Sequence, residues 1–372
     1  MRIFLTAAVI ALALPLQAAE RFQTDLVPVE VEMVAALAHP WGMAMLPSGD
    51  ILVTEREGRL WRVSPNGAKT EVAGVPRVAA SGQGGLLDVA VDPQFADNSR
   101  IYFTFSEPGR AGAGTALASA TLNGDRLDQV GVLFSMNRKT GTRKHFGSRI
   151  VFGPNDTVFV TTGDRGDGDR AQDPFDHAGS VVRLQRDGSV PDDNPFVDGQ
   201  DGAPEVWSFG HRNIQGAAIH PETGALYTIE HGARGGDEIN VPQAGRNYGW
   251  PVISYGRHYS GAKIGEGTAK DGLEQPLYYW DPSIAPSGMA FATGDQFPDW
   301  KGSLFVGALK DRKLIRLVFD GDSLVPAEIL FERQFGRIRD VDFFDDGYLY
   351  LLTDEDPGAL IRVTPASPAA TR

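Results

Sequence analysis

A short phrase of apolar and polar positions recurs along this chain. A Gly or other small residue opens an alternating apolar run, and a turn carrying Pro, Asp or Gly follows. A second apolar run then ends near Thr or Gly, and in several copies a third closes on an Arg between apolar neighbours. Gly42-Met43-Ala44-Met45-Leu46-Pro47-Ser48-Gly49-Asp50 leads into Ile51-Leu52-Val53-Thr54, then Gly58-Arg59-Leu60-Trp61-Arg62-Val63. The second run returns at 101–104, 158–161, 226–229, 304–307 and 348–352. Runs this short, with period-two alternation and turn residues between them, are strands.

Six copies spaced by roughly 50 residues or more match the four-stranded blades of a propeller. One blade alone has too little core, so the blades must pack around an axis, and closing the ring protects the sheet edges. The expected fold is all-β, a six-bladed β-propeller with four-stranded antiparallel blades. The alternating run 26–33 is placed to supply the outer strand of the last blade. A two-sheet sandwich is the alternative architecture. No long helix is signalled after the first twenty residues. Insertions interrupt the phrase at 109–144, 163–179, 191–212 and 231–275, and long connections on a rigid ring are where function gathers.

Composition narrows the reading. The 372 residues are 42% hydrophobic, enough for a large core, and 44 Gly with 24 Pro suit a chain of many turns. The formal net charge of −13, with no long basic run, argues against nucleic acid and against an anionic membrane surface. The absence of Cys excludes disulfides, thiolate metal sites and a cysteine nucleophile. At the N-terminus Arg2 precedes an apolar stretch from Ile3 to Leu16, and Ala18 and Ala19 offer a cleavage point. This pattern predicts a cleaved signal peptide over 1–19 and one propeller domain over 20–372, working in the periplasm or secreted, with no membrane span.

Candidate chemistry collects where inner strands begin. His145 precedes the third blade's first strand, and Asp164 follows that blade's second. Neighbouring strands can bring them together, and a carboxylate would then orient the imidazole as a base. A histidine that only satisfies loop backbone groups is the other reading, and the pattern leaves both open. Arg212 and Asn213 precede the fourth blade, Lys310 closes a strand of the fifth, and Arg337 and Arg339 flank the start of the sixth. Four cations at one level of an acidic protein point to an anionic ligand in the channel. Gln83 holds the equivalent place before the second blade, where turn chemistry also explains it. The Gly-rich acidic stretch 230–240 suits a calcium loop, since calcium takes carboxylates and backbone carbonyls. Asp167, Asp169, Asp173 and Asp176 form a second acidic cluster, read as a solvated loop.

Several of these phrases together resemble one family. They are His39-Pro40-Trp41-Gly42, Gly82-Gln83-Gly84-Gly85-Leu86-Leu87-Asp88, His145 with Gly147 and Arg149, Thr162-Gly163-Asp164, and Gly210-His211-Arg212-Asn213-Ile214-Gln215-Gly216. Downstream come Asp237-Glu238-Ile239-Asn240, Asn247-Tyr248-Gly249-Trp250-Pro251, Ala285-Pro286-Ser287-Gly288 and Gly336-Arg337-Ile338-Arg339-Asp340-Val341. In order and spacing the chain resembles the soluble glucose and aldose sugar dehydrogenases that use pyrroloquinoline quinone (PQQ). The resemblance implies that His145 is the base for an aldose's anomeric hydroxyl and Asp164 its orienting partner. It implies that Gln83, Arg212, Asn213, Tyr259, Lys310, Arg337 and Arg339 hold the three-carboxylate cofactor. The carbonyls of Gly232 and Ala233 would hold the cofactor's calcium, and Glu238 with the Tyr248 carbonyl a second calcium. His231 and Ala233 stand where the best-known glucose enzyme of the family has Gln and Pro. The shorter chain implies the aldose branch, a monomer or weak dimer, and an external electron acceptor. A calcium-dependent propeller lactonase and a non-enzymatic binding propeller are the alternatives. The lactonase would need carboxylates on several inner strands and would not need Lys310, Arg337 and Arg339.

Overall fold

The computed structural model describes residues 19–367, so all but the last residue of the expected signal peptide lies outside the described residues. The strands form six antiparallel sheets. Blade 1 runs Pro40–Met45, Ile51–Glu55, Arg59–Val63 and Lys69–Glu71 from the axis outward, and blade 2 runs Leu86–Val91, Arg100–Gly109, Gly112–Asn123 and Arg126–Ser135. Blade 3 comprises Ile150–Phe152, Thr157–Thr161, Val181–Gln185 and Val206–Ser208, and blade 4 Ile214–Ile219, Leu226–Glu230, Asp237–Asn240 and Tyr278–Trp280. Blade 5 comprises Pro286–Phe291, Leu304–Ala308, Lys313–Asp320 and Ser323–Leu330. Blade 6 has Ile338–Phe343, Leu349–Thr353 and Gly358–Pro365, completed by Pro28–Leu37 and then Glu20–Gln23. The first strands of successive blades touch in a closed ring, which makes them the wall of the central channel. Among the described residues no helix is long and apolar enough to cross a membrane.

The small residue of the repeated phrase has a steric reason at two blades. A Cβ on Gly42 would stand 2.5 Å from Asp88 Oδ1, and one on Gly288 would stand 2.2 Å from Asp340 Oδ1. In each case an aspartate of the next inner strand fills the space a side chain would take. Between blades the sheets bury apolar faces against one another. Leu52, Leu60, Phe103 and Phe105 fill the gap between blades 1 and 2, and Val31, Phe305, Val341 and Ile361 fill that between blades 5 and 6.

Two elements differ from the expectation. The closing strand begins at Pro28, later than 26, because Thr24 and Val27 make a turn (Thr24 Oγ1 to Val27 O, 2.6 Å; Val27 N to Thr24 Oγ1, 3.1 Å). It also gains a fifth strand, in which Phe22 meets Phe331 and Phe335 edge-on at 5.5 Å each. The stretch 109–144 is no insertion over most of its length, since it carries the outer two strands of blade 2. Gly112–Asn123 is built of small residues buried on both faces, so it lacks the alternation that marks a half-buried strand.

One side chain spans the axis. Arg149, 5% exposed, places Nη1 2.8 Å from Asp340 Oδ1 and 3.2 Å from Asp88 Oδ1. Its Nε donates to Gln215 O at 2.7 Å and its Nη2 to Arg339 O at 3.2 Å, while the guanidinium lies 4.3 Å from the Trp41 ring centre. Blades 1, 2, 4 and 6 therefore meet on a residue of blade 3. Burial raises the Asp88 carboxyl to about 7 despite Arg149, and raises Asp340 as well. The folded chain thus keeps a proton on Asp88 at pH values where the unfolded chain has released it, so this group's contribution to stability falls as pH rises from about 4 to about 7. Arg149→Leu, leaving two buried carboxylates unpaired, is expected to cost about 3–5 kcal/mol in urea unfolding at pH 7.5. The deficit should shrink at pH 5, where the variant's aspartates take up protons; an equal deficit at both pH values would contradict the assignment.

Candidate active site

The loop entering blade 3 is tightly wound. His145, Gly147 and Ser148 adopt φ of +57°, +63° and +97°, a region L-residues enter only under constraint. The constraint is visible. Arg165, 1% exposed, donates Nη2 to Thr142 O at 2.7 Å and Nη1 to Lys144 O, and its guanidinium lies 3.4 Å from the Phe146 ring centre. Gln83 Oε1 accepts the His145 backbone N–H at 2.6 Å. A Cβ on Gly163 would stand 2.4 Å from His145 O, so the following loop closes directly over the histidine.

His145 Nδ1 lies 2.6 Å from Asp164 Oδ1. Burial lowers the imidazole's pKa below its usual 6.5, the charges of Arg212 and Lys144 add to that, and the Asp164 bond opposes it. For Asp164 burial works toward a raised value, but the bond to His145 and the Gly166 N–H at 2.6 Å outweigh it and the pKa falls. An ionised carboxylate therefore accepts from Nδ1–H of a neutral ring, and the lone pair is left on Nε2.

Beside this pair lies a cavity of about 140 Å³ whose lining includes Gln83, Arg56, His231, Arg337, Arg339 and Asp354. Asp354 Oδ2 sits 3.1 Å from Arg339 Nη2 and 3.3 Å from Arg337 Nη2, and Oδ1 sits 3.9 Å from Arg56 Nη1. Burial opposes its ionisation, yet the three guanidinium groups hold it well below the usual carboxylate range. Three cations on one carboxylate leave positive charge uncompensated. Arg339 Nε, Arg212 Nε and Asn213 Nδ2 are buried donors without a partner, so the site is short of acceptors. Donors of this kind fit a ligand with several carboxylates.

Glu238 and Tyr248 line a second hole of about 10 Å³ with Arg212, Glu230, His231 and Trp250. Burial and the Glu230 charge push the Glu238 carboxyl well up. Asn240 donates to Glu230 Oε1 at 3.1 Å, while its own Oδ1 is buried without a partner. Two crowded carboxylates beside a hole of one water's size suit an oxygen-liganded cation, with Arg212 also bordering the hole. The described residues hold no cluster of three or more His, Asp and Glu side chains suited to a metal, so backbone carbonyls would have to complete such a shell. The Gly232 carbonyl accepts from Arg212 Nη1 at 2.5 Å, and Ala233 is buried in the same loop.

The structure thus gathers His145, Asp164, Gln83, Arg212, Asn213, Arg337 and Arg339 around the channel mouth. Of the expected cofactor residues, Gln83, Arg337 and Arg339 line the cavity; Arg212 borders the second hole, and Asn213, Lys310 and Tyr259 are outside both linings. The Lys310 side chain is 57% exposed with Nζ on Ser283 O at 2.6 Å, and Tyr259 is 76% exposed on the blade 4 insertion. Asp176 of the second acidic cluster is buried on Arg170, whose Nε and Nη2 each lie 2.8 Å from its oxygens. Sequence reasoning missed Arg56, Asp354, Arg165 and Trp250. For the first two a signal existed. Arg56, His231 and Asp354 each directly follow the second strand of their blade, the level at which Asp164 and Lys310 also fall.

Fold and site together define a propeller that sets a buried histidine–aspartate pair beside a cavity lined by guanidinium groups. The chain belongs to the glucose/sorbosone dehydrogenase family of oxidoreductases, whose model matches residues 37–362. It is 44% identical over 346 residues to the aldose sugar dehydrogenase YliI of Escherichia coli strain K12, covering 91% of this chain and 93% of that one. The apo-form crystal structure of the Escherichia coli aldose sugar dehydrogenase superposes with a TM-score of 0.88 at 43% identity, covering 91% and 100%. The PQQ-bound aldose sugar dehydrogenase of Streptomyces coelicolor superposes with a TM-score of 0.75 at 30% identity, covering 90% and 98%.

Asp354→Asn should destabilise the chain at pH 7 by about 3 kcal/mol, the low end for a broken buried pair, because Arg337 and Arg56 keep some water. A carboxyl with a depressed folded pKa contributes its stability above the unfolded value and loses it as pH falls toward the folded one. The gap between wild type and variant in chemical unfolding should therefore be flat above pH 5 and narrow only below about pH 4. A gap that closes near pH 6 would refute the ion-pair account.

Proposed function

We propose that this chain is a PQQ-dependent aldose dehydrogenase that works in the periplasm or outside the cell. It would oxidise sugars at the anomeric carbon to lactones and pass the electrons to an external acceptor. The observation that carries the reading is the neutral His145, oriented by an ionised Asp164 at 2.6 Å, beside a cavity lined by Arg56, Arg337 and Arg339, with Arg339 Nε left without a partner. The cofactor fits those donors: Arg339, Arg337, Arg212 and Asn213 would hold its carboxylates, with Gln83 nearby. When bound it supplies a two-electron acceptor, and calcium on the loop of Gly232 and Ala233 supplies a Lewis acid.

The residues' own part is proton management and placement. His145 Nε2 takes the proton of the sugar's anomeric hydroxyl as the adjoining C–H bond gives up its hydride. The imidazolium so formed is stabilised by Asp164, which stays ionised. Glu238, Glu230 and the Tyr248 carbonyl would hold a second cation that stiffens the insertion of blade 4. A monomer or weak dimer suffices, since every residue invoked lies on one chain. The lactonase alternative gains nothing from the inner-strand carboxylates, because Arg149 already occupies the space between Asp88 and Asp340.

With apo-protein, PQQ and calcium, dye reduction by several aldoses should require both additions. His145→Ala should lose about 10²–10⁴-fold in kcat while calorimetric PQQ binding is retained. The acid limb of kcat/KM should lie below pH 6.5, since burial lowers the base. An apo-protein that binds no PQQ in the calorimeter would sink the reading. Calcium should raise the melting temperature of the wild type, by an increment equivalent to about 2.7 kcal/mol at a hundredfold excess over Kd. Glu238→Gln should abolish most of that increment; an unchanged increment would place the cation elsewhere.

A further inference from the structure

Asp164 has three donors, and they divide unevenly. Oδ1 accepts from His145 Nδ1 and from Gly166 N, each at 2.6 Å. Oδ2 has one partner, the indole N–H of Trp250 at 2.8 Å. The carboxylate is 2% exposed, so no bulk water replaces that donor. Trp250 does not belong to the blade of the dyad. It sits in the insertion between the third and fourth strands of blade 4 and reaches back to blade 3.

The indole is itself held in place. Its backbone N–H donates to Gly210 O at 2.8 Å, and its carbonyl accepts from Gln172 Nε2 at 2.7 Å. A Cβ on Gly168 would stand 3.1 Å from the indole Nε1 and 3.0 Å from Pro251 Cγ, so the ring has no slack on that side. The Arg212 guanidinium lies 5.2 Å from the ring centre, within cation–π range.

We propose that Trp250 is the positioning residue of the base. Its N–H fixes Asp164 Oδ2, so that Oδ1 keeps His145 in the Nδ1–H form with Nε2 free, and its ring carries Arg212. One side chain thereby sets the base relative to the cation that would hold the cofactor. The proposal rests on the dehydrogenase reading above and adds a residue to it.

The hydrogen bond can be read without any cofactor. In apo-protein with ¹⁵N-labelled tryptophan, six indole signals are expected, one for each Trp. The signal lost in Trp250→Phe should lie downfield and move upfield in Asp164→Asn, with the other five nearly unchanged. In the PQQ- and calcium-loaded enzyme, Trp250→Phe should lower kcat about 10–100-fold, the range for an outer orienting bond, with sugar KM and PQQ Kd within about twofold. Trp250→Leu, which also removes the aromatic face, should weaken PQQ binding as well. The double variant Trp250→Phe/Asp164→Asn should be no slower than Asp164→Asn alone, since both remove one function. If Trp250→Phe fails to fold by circular dichroism, Gly168→Ala tests the same point by displacing the ring while keeping the donor, and should give a smaller fall in kcat. Full kcat in Trp250→Phe, or additive losses in the double variant, overturns the role of Trp250 while an inactive His145→Ala keeps the dehydrogenase reading. Undiminished activity in His145→Ala overturns that reading itself.

Discussion

The structure turns on one buried cation at the axis. Six sheets around a channel have no shared core at their centre, and the inner strands present backbone and short polar side chains to it. Arg149 answers this by bonding to two aspartates and two carbonyls and lying on Trp41. Its partners are also the footing of the site. The carbonyl of Arg339 and that of Gln215 rest on its guanidinium, while the Arg339 side chain reaches Gln215 Oε1 at 3.0 Å and Asp354 at 3.1 Å. A buried charge is tolerable only when fully paired, so the hub has little freedom to shift. It also separates the upper cavity from a lower one of about 380 Å³ lined by Asp88, Asp340 and Asp342.

Much of this is legible in the sequence, for reasons that can be stated. The blade count is legible because the phrase of short apolar runs and turns returns six times, and at Gly42 and Gly288 its small residue admits a neighbour's aspartate. His145 and Asp164 are legible because each sits at a strand end of one blade, where the sheet brings them side by side. What stays hidden depends on packing between blades. Gly112–Asn123 has no period because both of its faces are covered. Trp250 is separated from Asp164 by 86 residues and joined to it by a loop of another blade. Lys310 shows the limit of positional reasoning, since an equivalent place in the blade still leaves its side chain in solvent.

Rigidity and adaptability are divided between ring and loops. The inner strands are buried and cross-braced, whereas the insertions of blades 3 and 4 carry exposed residues such as Phe175 and Tyr259. The dyad lies at the boundary: Asp164 and Arg165 are buried, while Gly166, Asp167 and Asp169 just beyond them are exposed. The proposed base would thus stand on a rigid wall beneath an exposed rim.

The closing blade carries a kinetic consequence. Arg362 bonds Glu32 across 330 residues at 2.6 Å, and Pro28–Leu37 pairs with Gly358–Pro365 along its length. That seam cannot form until the blades between have curled into register, so its closure entropy is met late and the folding rate is set by nearly the longest loop the chain allows. Until then the outer edge of blade 6 is an open strand offering Val363 and Ile361 to any extended partner, including the same strand of another molecule. The ring that gives the folded protein no free seam is, during folding, a competition between one intramolecular zipper and many intermolecular ones, won at low chain concentration.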